Sequence, residues 1–288
     1  ELNFTTVSES GGPFGRLVLI DAIAAWINPT QAVLPAADLY PVQNDPEVIK
    51  MQNARAFSGS QTDAISAALG YLKIDAQSNV VVESVVLKSP SDGKIEPGDI
   101  VNSVNSNEVL TPGDVVKFVQ QNKPGEIINL MLSRKGQDIE VNIKSVSNTS
   151  DKDKASIGIA IVSEIDPPFN IKFGIADVGG PSAGLMMALG IIDELTEKDL
   201  TAGQIIAGTG TINSLGQVGP IGGIRQKLEG AKDNGVQLFL APIDNCDSVK
   251  TAKYKNMPVV SVATLAEAVK AIGTFTNQGN AKGLKTCE

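Results

Sequence analysis

Asp177-Val-Gly-Gly-Pro-Ser-Ala-Gly-Leu-Met-Met-Ala-Leu-Gly190 sets the reading of the second half of the chain. Two glycines and a proline make a turn. From Ser182 to Leu195 the residues are mainly apolar, the pattern of a long apolar helix with Pro181 suited to its first turn. Outward from this helix, Ile157–Val162 and Ile171–Ile175 precede it as strand candidates. Ile205–Gly210 follows as a buried strand, Gly223–Asn234 as a helix, Leu238–Ala241 as a strand and Ala263–Ile272 as a last helix. Helices alternating with strands predict an α/β unit.

Between Gly70 and Val146 the texture changes to short β-rich runs. Val80–Val82, Ser84–Leu87, Asp99–Val104, Ile127–Leu132 and Ile139–Ile143 read as strands around one helix, Thr111–Gln121, whose Val115, Val116 and Val119 face inward. This predicts a small, partly open β-barrel. Ser145–Ser156 is polar and charged and reads as a linker. In the first 60 residues Phe4–Val7 and Leu17–Ile20 look strand-like, with turns at Asn28-Pro29 and Leu34-Pro35. Asp63–Leu72 reads as a short helix.

The 288 residues suffice for two domains, and 42% hydrophobic with 19% charged residues is the profile of a folded chain. A net charge of -8 gives no electrostatic case for nucleic acid or an anionic membrane surface. Histidine is absent, which excludes a Ser-His-Asp triad, a Cys-His pair and any histidine-ligated metal. Proton transfer near neutral pH must then use a carboxylate, lysine, tyrosine or cysteine. Two cysteines, Cys246 and Cys287, are too few for a Cys-rich zinc site, so no metal and no cofactor are expected. They are a disulfide candidate, which would suit an oxidising compartment, although two free thiols fit the count equally. Leu17–Ile27 is apolar but too short to span a bilayer and contains Asp21. The first residue is Glu1, so a removed segment is expected ahead of it.

Two segments carry chemistry. Ser182, behind Gly179, Gly180 and Pro181, is placed where a hydroxyl can attack a carbonyl while N–H groups around Gly180–Ala183 hold an oxyanion. In Gly216–Ala231, Gly222-Gly223 opens a helix whose apolar stripe contains Ile224, Leu228 and Ala231. Lys227 falls at the edge of that stripe. A lysine base must be neutral, and burial lowers a lysine pKa.

Together the segments resemble the proteolytic domain of the Lon family. The likeness rests on Gly-Pro-Ser182-Ala-Gly, on Gly208-Thr209-Gly210, and on Pro220-Ile-Gly-Gly-Ile-Arg-Gln-Lys227-Leu, over roughly residues 157–275. The interval from Thr209 to Lys227 (227 − 209 = 18) also agrees with the family pattern. The resemblance implies Ser182 as nucleophile, Lys227 as general base and Thr209 as a support for the lysine. Gly179 stands where the family often has Asp, and Thr211 where it usually has Glu. Gly70–Val146 resembles a PDZ domain: Gly70, Tyr71, Leu72 and Lys73 occupy the place of its carboxylate-binding loop, with Lys73 in place of a glycine. Ser89-Pro90 with Gly93–Val101 matches the bacterial form.

The expected fold is thus α/β (α+β), a Lon-type proteolytic domain preceded by a PDZ-like partly open β-barrel and an N-terminal segment. The boundaries are 1–65, 66–146, a linker 147–156, 157–275 and a tail 276–288. PDZ and Lon-type domains in one chain look like the bacterial membrane-anchored Lon-like proteases. That likeness implies an ATP-independent serine endopeptidase acting on unfolded or flexible polypeptides, and a homo-oligomer. It also implies a membrane anchor in a removed N-terminal segment, with the domains on the extracytoplasmic side, or secretion. No P-loop motif occurs, so no nucleotide partner is expected. The rivals are a peptide-binding PDZ adaptor with a catalytically idle Lon-like domain, and a chain that processes itself once.

Overall fold

A computed structural model describes residues 1–288 apart from 29, 41–44, 150, 175–177, 253–256 and 288, and apart from the side chain of residue 77. The expected features at Pro29, Ile175 and Asp177 lie outside the described residues. The chain divides into two units. Glu1–Ile74 joins Lys172–Glu288 in one, and Asp75–Ile171 forms the other.

In the first unit Leu2–Phe4 form strand β1, Leu19–Ile27 helix α1, Ala36–Leu39 the short helix α2 and Pro46–Leu72 helix α3. The strand expected at Leu17–Ile20 is replaced by α1. The sequence Leu-Ile-Asp-Ala-Ile-Ala-Ala-Trp-Ile contains three alanines, the best helix former, and places Asp21 in the first turn, where a negative charge is favoured. The helix expected at Asp63–Leu72 is only the last third of α3. Asp45 caps α3 by accepting the Glu47 N–H, Pro46 takes the first turn, and Lys73 closes it in the left-handed conformation (φ 56°).

The second unit runs through β2 (Gln77–Val85), β3 (Ile100–Val104), β4 (Asn107–Glu108), α4 (Pro112–Gln120), β5 (Ile127–Arg134), β6 (Gln137–Lys144), β7 (Val146–Ser147), β8 (Ala155–Ser156) and β9 (Ile159–Asp166). Its main sheet has the order β6-β5-β3-β2-β9, antiparallel throughout, with β4 paired to β3. Val80, Val82, Val101, Val104, Ile128, Leu130, Leu132 and Ile143 fill its core. β5 and β6 are joined by Lys135 and Gly136, both at positive φ (51° and 78°), the backbone of a two-residue type I′ hairpin. Thr111 and Asp114 form a capping box at the start of α4. Val115 and Val119 of α4 are buried as expected, but Val116 is 47% exposed.

Two expectations are corrected by this unit. Ser145–Ser156 is not a linker. The Ser145 hydroxyl is buried and donates to the Glu126 carbonyl at 3.0 Å, and β7 pairs with β8, whose Ala155 enters the core. Ile157–Val162 does not begin the second domain, because β9 pairs with β2 from Gln77↔Asp166 to Val85↔Ile159. Hydrophobic alternation predicts a strand but not its partner, and in this sheet the partner residues lie 74 (159 − 85) to 89 (166 − 77) positions upstream.

The chain re-enters the first unit at Lys172. It continues through α5 (Gly184–Leu195), β10 (Ile206–Gly208), β11 (Thr211–Ile212), β12 (Val218–Gly219), α6 (Ile224–Asp233), β13 (Leu238–Pro242), α7 (Cys246–Lys250), β14 (Val259–Val262) and α8 (Leu265–Gln278). The strand expected at Ile171–Ile175 is absent over residues 171–174. A parallel sheet forms in the order β1-β10-β13-β14. Apolar residues surround α5, and Leu185, Met186, Ala188, Leu189 and Ile192 are all buried. It is the central helix, packed against α3, α8 and β1. The N-terminal segment is therefore part of this unit: β1 supplies the edge strand and α3 a wall. Cys246 and Cys287 are joined in a disulfide. Among the described residues no helix is long and apolar enough to cross a membrane.

Candidate active site

The site lies at the carboxyl ends of two neighbouring parallel strands, the usual place for a ligand in such a sheet. β1 ends at Phe4 and β10 at Gly208, which are registered partners. The next residue on each strand, Thr5 and Thr209, therefore emerges at the same level.

Ser182 is held in the turn just before α5, not in its first helical turn as expected. Its carbonyl accepts the Gly210 N–H at 2.9 Å and the Thr209 hydroxyl at 3.0 Å. α3 grips the residues ahead of it. The Gly180 N–H donates to the Asn53 carbonyl at 2.9 Å, and the Ser60 hydroxyl donates to the Pro181 carbonyl at 3.1 Å. Gly180 sits at φ 78°, a conformation that favours glycine. A Cβ on Gly179 would come within 3.0 Å of the Asn53 Cβ. So Gly179 makes room for α3, and the Gly180 N–H, expected to serve an oxyanion, is committed to Asn53. The N–H groups of Ser182 and Ala183 make no hydrogen bond to a described residue.

Lys227 stands in the first turn of α6, whose Gly223 start is left-handed (φ 68°). Ile224, Leu228 and Ala231 anchor the helix in a core with Phe239, Val249 and Val259, and Lys227 is only 4% exposed. Its Nζ donates to the Thr5 carbonyl at 2.6 Å and lies 3.1 Å from Ser182 Oγ and 3.2 Å from Thr209 Oγ1. Thr209 is fully buried. Burial without a compensating carboxylate pushes the lysine pKa down to about 8. The cleft over the pair is lined by residues 4–10, by Leu17, Asp21 and Ala24 of and beside α1, and by Gly179, Gly222 and Gln226.

Ser182, Thr209 and Lys227 thus come together as the sequence implies. Gly70, Tyr71, Leu72 and Lys73 are not an open loop. The first three close the last turn of α3, and the Lys73 and Ile74 N–H groups donate back to Gly70 and Leu69. An end of a helix whose amides are spent in this way offers no nest for a carboxylate. Sequence reasoning missed Thr5, Asn53 and Ser60. The first and second act through main-chain carbonyls, which leave no mark in residue identity. Among the described residues no group of three or more potential metal ligands occurs.

A family model described as the Lon protease (S16) C-terminal proteolytic domain matches residues 171–272, and one described as a PDZ domain matches residues 58–145. The Lon protease of Lachnoclostridium phytofermentans is 30% identical over 136 residues, 41% of this chain and 17% of that protein. Lon protease 2 of Bacillus subtilis is 31% identical over 110 residues, 38% of this chain and 19% of that protein. The chain thus spans less than a fifth of the length of these curated relatives. A PDZ domain of the SdrC-like protein from Listeria monocytogenes is 19% identical, with a TM-score of 0.27 and coverage of 29% of this chain and 86% of that one.

Proposed function

From a chain that carries a Lon protease proteolytic domain and a PDZ domain, we infer a serine endopeptidase that works through a Ser182–Lys227 dyad. One observation carries this reading: a buried lysine amine, its pKa lowered, 3.1 Å from a serine hydroxyl. Neutral Lys227 takes the Ser182 proton as Oγ attacks the scissile carbonyl carbon. The oxyanion forms beside the N–H groups of Ser182 and Ala183. Lys227 then passes its proton to the leaving amine as the C–N bond breaks. Water, deprotonated by the same lysine, hydrolyses the ester and returns Ser182.

The substrate we propose is unfolded or flexible polypeptide, and the cleavage we propose needs no ATP; no P-loop motif occurs in these 288 residues. A homo-oligomer, and an extracytoplasmic placement reached by a membrane anchor or by secretion, belong to the same proposal. The Cys246–Cys287 bridge fits an oxidising compartment.

The test is hydrolysis of an unfolded, fluorescence-quenched protein without ATP, by wild type, Ser182→Ala and Lys227→Ala. Activity in wild type and loss of about a thousandfold or more in each variant, with unchanged circular dichroism, is the expected result. Equal activity in all three would overturn it.

A further inference from the structure

A lysine base must present its lone pair, not an N–H, to the serine hydroxyl, and an amine on a single Cε–Nζ bond can rotate. Three acceptors surround Nζ: the Thr5 carbonyl, Ser182 Oγ and Thr209 Oγ1. The protonated amine has three N–H groups and satisfies all three. The neutral amine has two.

Resting on the Ser–Lys reading, we propose that the Thr5 main-chain carbonyl is a positioning group of the dyad, which fixes one N–H of Lys227 and so turns its lone pair to Ser182. A carbonyl oxygen can only accept. Thr209 gives its own hydroxyl proton to the Ser182 carbonyl at 3.0 Å, so toward Lys227 its oxygen also accepts. These two hold both N–H groups of the neutral amine, and the remaining direction, toward Ser182, belongs to the lone pair. The third proton alone moves, from Oγ to Nζ and on to the leaving amine. With Thr209 as the only hold, the second N–H would be free to point at Ser182, which blocks proton uptake.

The fold sets this carbonyl rigidly. The β1–β10 register from Leu2↔Ile206 to Phe4↔Gly208 brings Thr5 level with Thr209. Beyond it, Val7 packs on Gly223 at the start of the lysine's own helix, with its Cγ2 3.0 Å from where a Cβ would stand. β1 and β10 carry no ionisable side chain. Among the described residues, the ionisable ones lining the cleft besides Lys227 are Glu9 and Asp21. On α6 they are Arg225, Glu229, Lys232 and Asp233, of which Glu229 and Lys232 pair at 3.4 Å. On α7, which packs against α6, they are Asp247 and Lys250, 3.7 Å apart. Among the described residues no charged group is hydrogen-bonded to Nζ.

The test replaces the amide between Thr5 and residue 6 by an ester, through an α-hydroxy acid at position 6 of the full chain. The ester carbonyl is a weaker acceptor, and the lost N–H of Thr6 makes no hydrogen bond to a described residue. Two quantities are read: the midpoint pH of Lys227 labelling by acetic anhydride, followed by mass spectrometry, and the pH–rate profile of peptide hydrolysis. The ammonium loses part of its best acceptor, so the labelling midpoint and the acid limb both move to lower pH. The plateau kcat falls about 3- to 10-fold, the scale of one hydrogen bond, with KM unchanged. The all-amide chain assembled by the same ligation is the reference for both quantities. A lower kcat with both midpoints unmoved, or no change in either quantity, would overturn the proposal. A wild-type chain that hydrolyses nothing, but whose labelling midpoint still falls on esterification, would sink the Ser–Lys reading while keeping the Thr5 hold.

Discussion

At the scale of the residue, Lys227 makes one arrangement serve two opposite demands. Its burial lowers the pKa to about 8, so at pH 7 about a tenth of the chains hold the neutral amine that the proposed base role needs. The rate of hydrolysis should therefore rise about tenfold from pH 7 to 9 and level off, as a kcat/KM profile would show. The same shift costs stability. Below pH 8 folded and unfolded chains are both protonated, and the folded chain bears the full cost of burying an ammonium. Between pH 8 and the ordinary value of 10.5 the unfolded chain binds more protons, so stability rises with pH, and above 10.5 the cost is gone. Compared with Lys227→Met, which lacks this term, wild type should gain at most about 3 kcal/mol between pH 7 and 10.5, measured by urea unfolding. Thr209 has a separate job. It donates to the Ser182 carbonyl and accepts an N–H of Lys227, so Thr209→Val should lower kcat about 10- to 100-fold with little change in KM, and Thr209→Ser should restore most of it. The three side chains are legible in the sequence because each stands in a glycine-rich box, the boxes follow in order, and Thr209 and Lys227 are 18 residues apart. Thr5 is not, because its contribution is a carbonyl that every residue possesses.

At the scale of the element, α3 decides how firmly Ser182, the proposed nucleophile, is held. Ser60 donates to Pro181 and also fills the space beside Gly184, where a Cβ would meet Ser60 Oγ at 2.7 Å and Ile212 Cγ2 at 2.9 Å. Gly184→Ala should cost about 1–3 kcal/mol in thermal or urea unfolding, and Ser60→Ala in the same chain should return part of it, because it removes one of the two clashing groups. Ser60→Ala alone should leave the fold intact and lower kcat about 2- to 10-fold, the worth of one hydrogen bond at the turn that carries Ser182. Only the end of α3, from Asp63, is legible in the sequence, because four of its six buried residues (Ala64, Ala67, Ala68 and Leu69) lie there, against Ile49 and Ser60 before it. The earlier turns expose Met51, and the helix there is supported by its cap and by polar contacts with the Gly179–Pro181 turn, which no hydrophobic period records. The apolar run at α1 misleads for the opposite reason. It is hydrophobic on nearly every side and exposed at Leu19, Ile20, Trp26 and Ile27, so no one face marks its period.

At the scale of the whole molecule, the unit that carries Ser182 and Lys227 is discontinuous, and this overrides the division that composition suggests. The polar stretch at 145–156 looks like a boundary because β7 and residues 151–154 face water, yet both strands that flank the true crossings, β2 and β9, belong to the inserted unit. The proteolytic family match, residues 171–272, omits β1 and α3 and stops short of Cys287. Each omission removes something physical. Without β1, strand β10 becomes an exposed edge and Lys227 loses the Thr5 carbonyl. Without α3, helix α5 exposes an apolar wall and the Gly180 and Pro181 anchors are gone. Without Cys287, the bridge across 41 residues is lost, worth up to about 4 kcal/mol in the chain-entropy estimate. Cys287→Ser in the full chain should therefore lower the unfolding free energy by about 2–4 kcal/mol without moving the acid limb of activity, since the bridge does not touch the dyad. The fragment 172–288 keeps that bridge but lacks β1 and α3, and it should be a loose, dye-binding state with fast amide exchange and no hydrolysis. The fragment 75–171, with its own core around Ile128, Leu130 and Leu132, should unfold cooperatively in urea. Adding a synthetic 1–74 peptide to 172–288 should recover slow exchange in α5 and β10 along with activity. If 172–288 alone were cooperative and active, the N-terminal segment would be an accessory, and neither the Thr5 carbonyl nor α3 would be needed to hold the dyad.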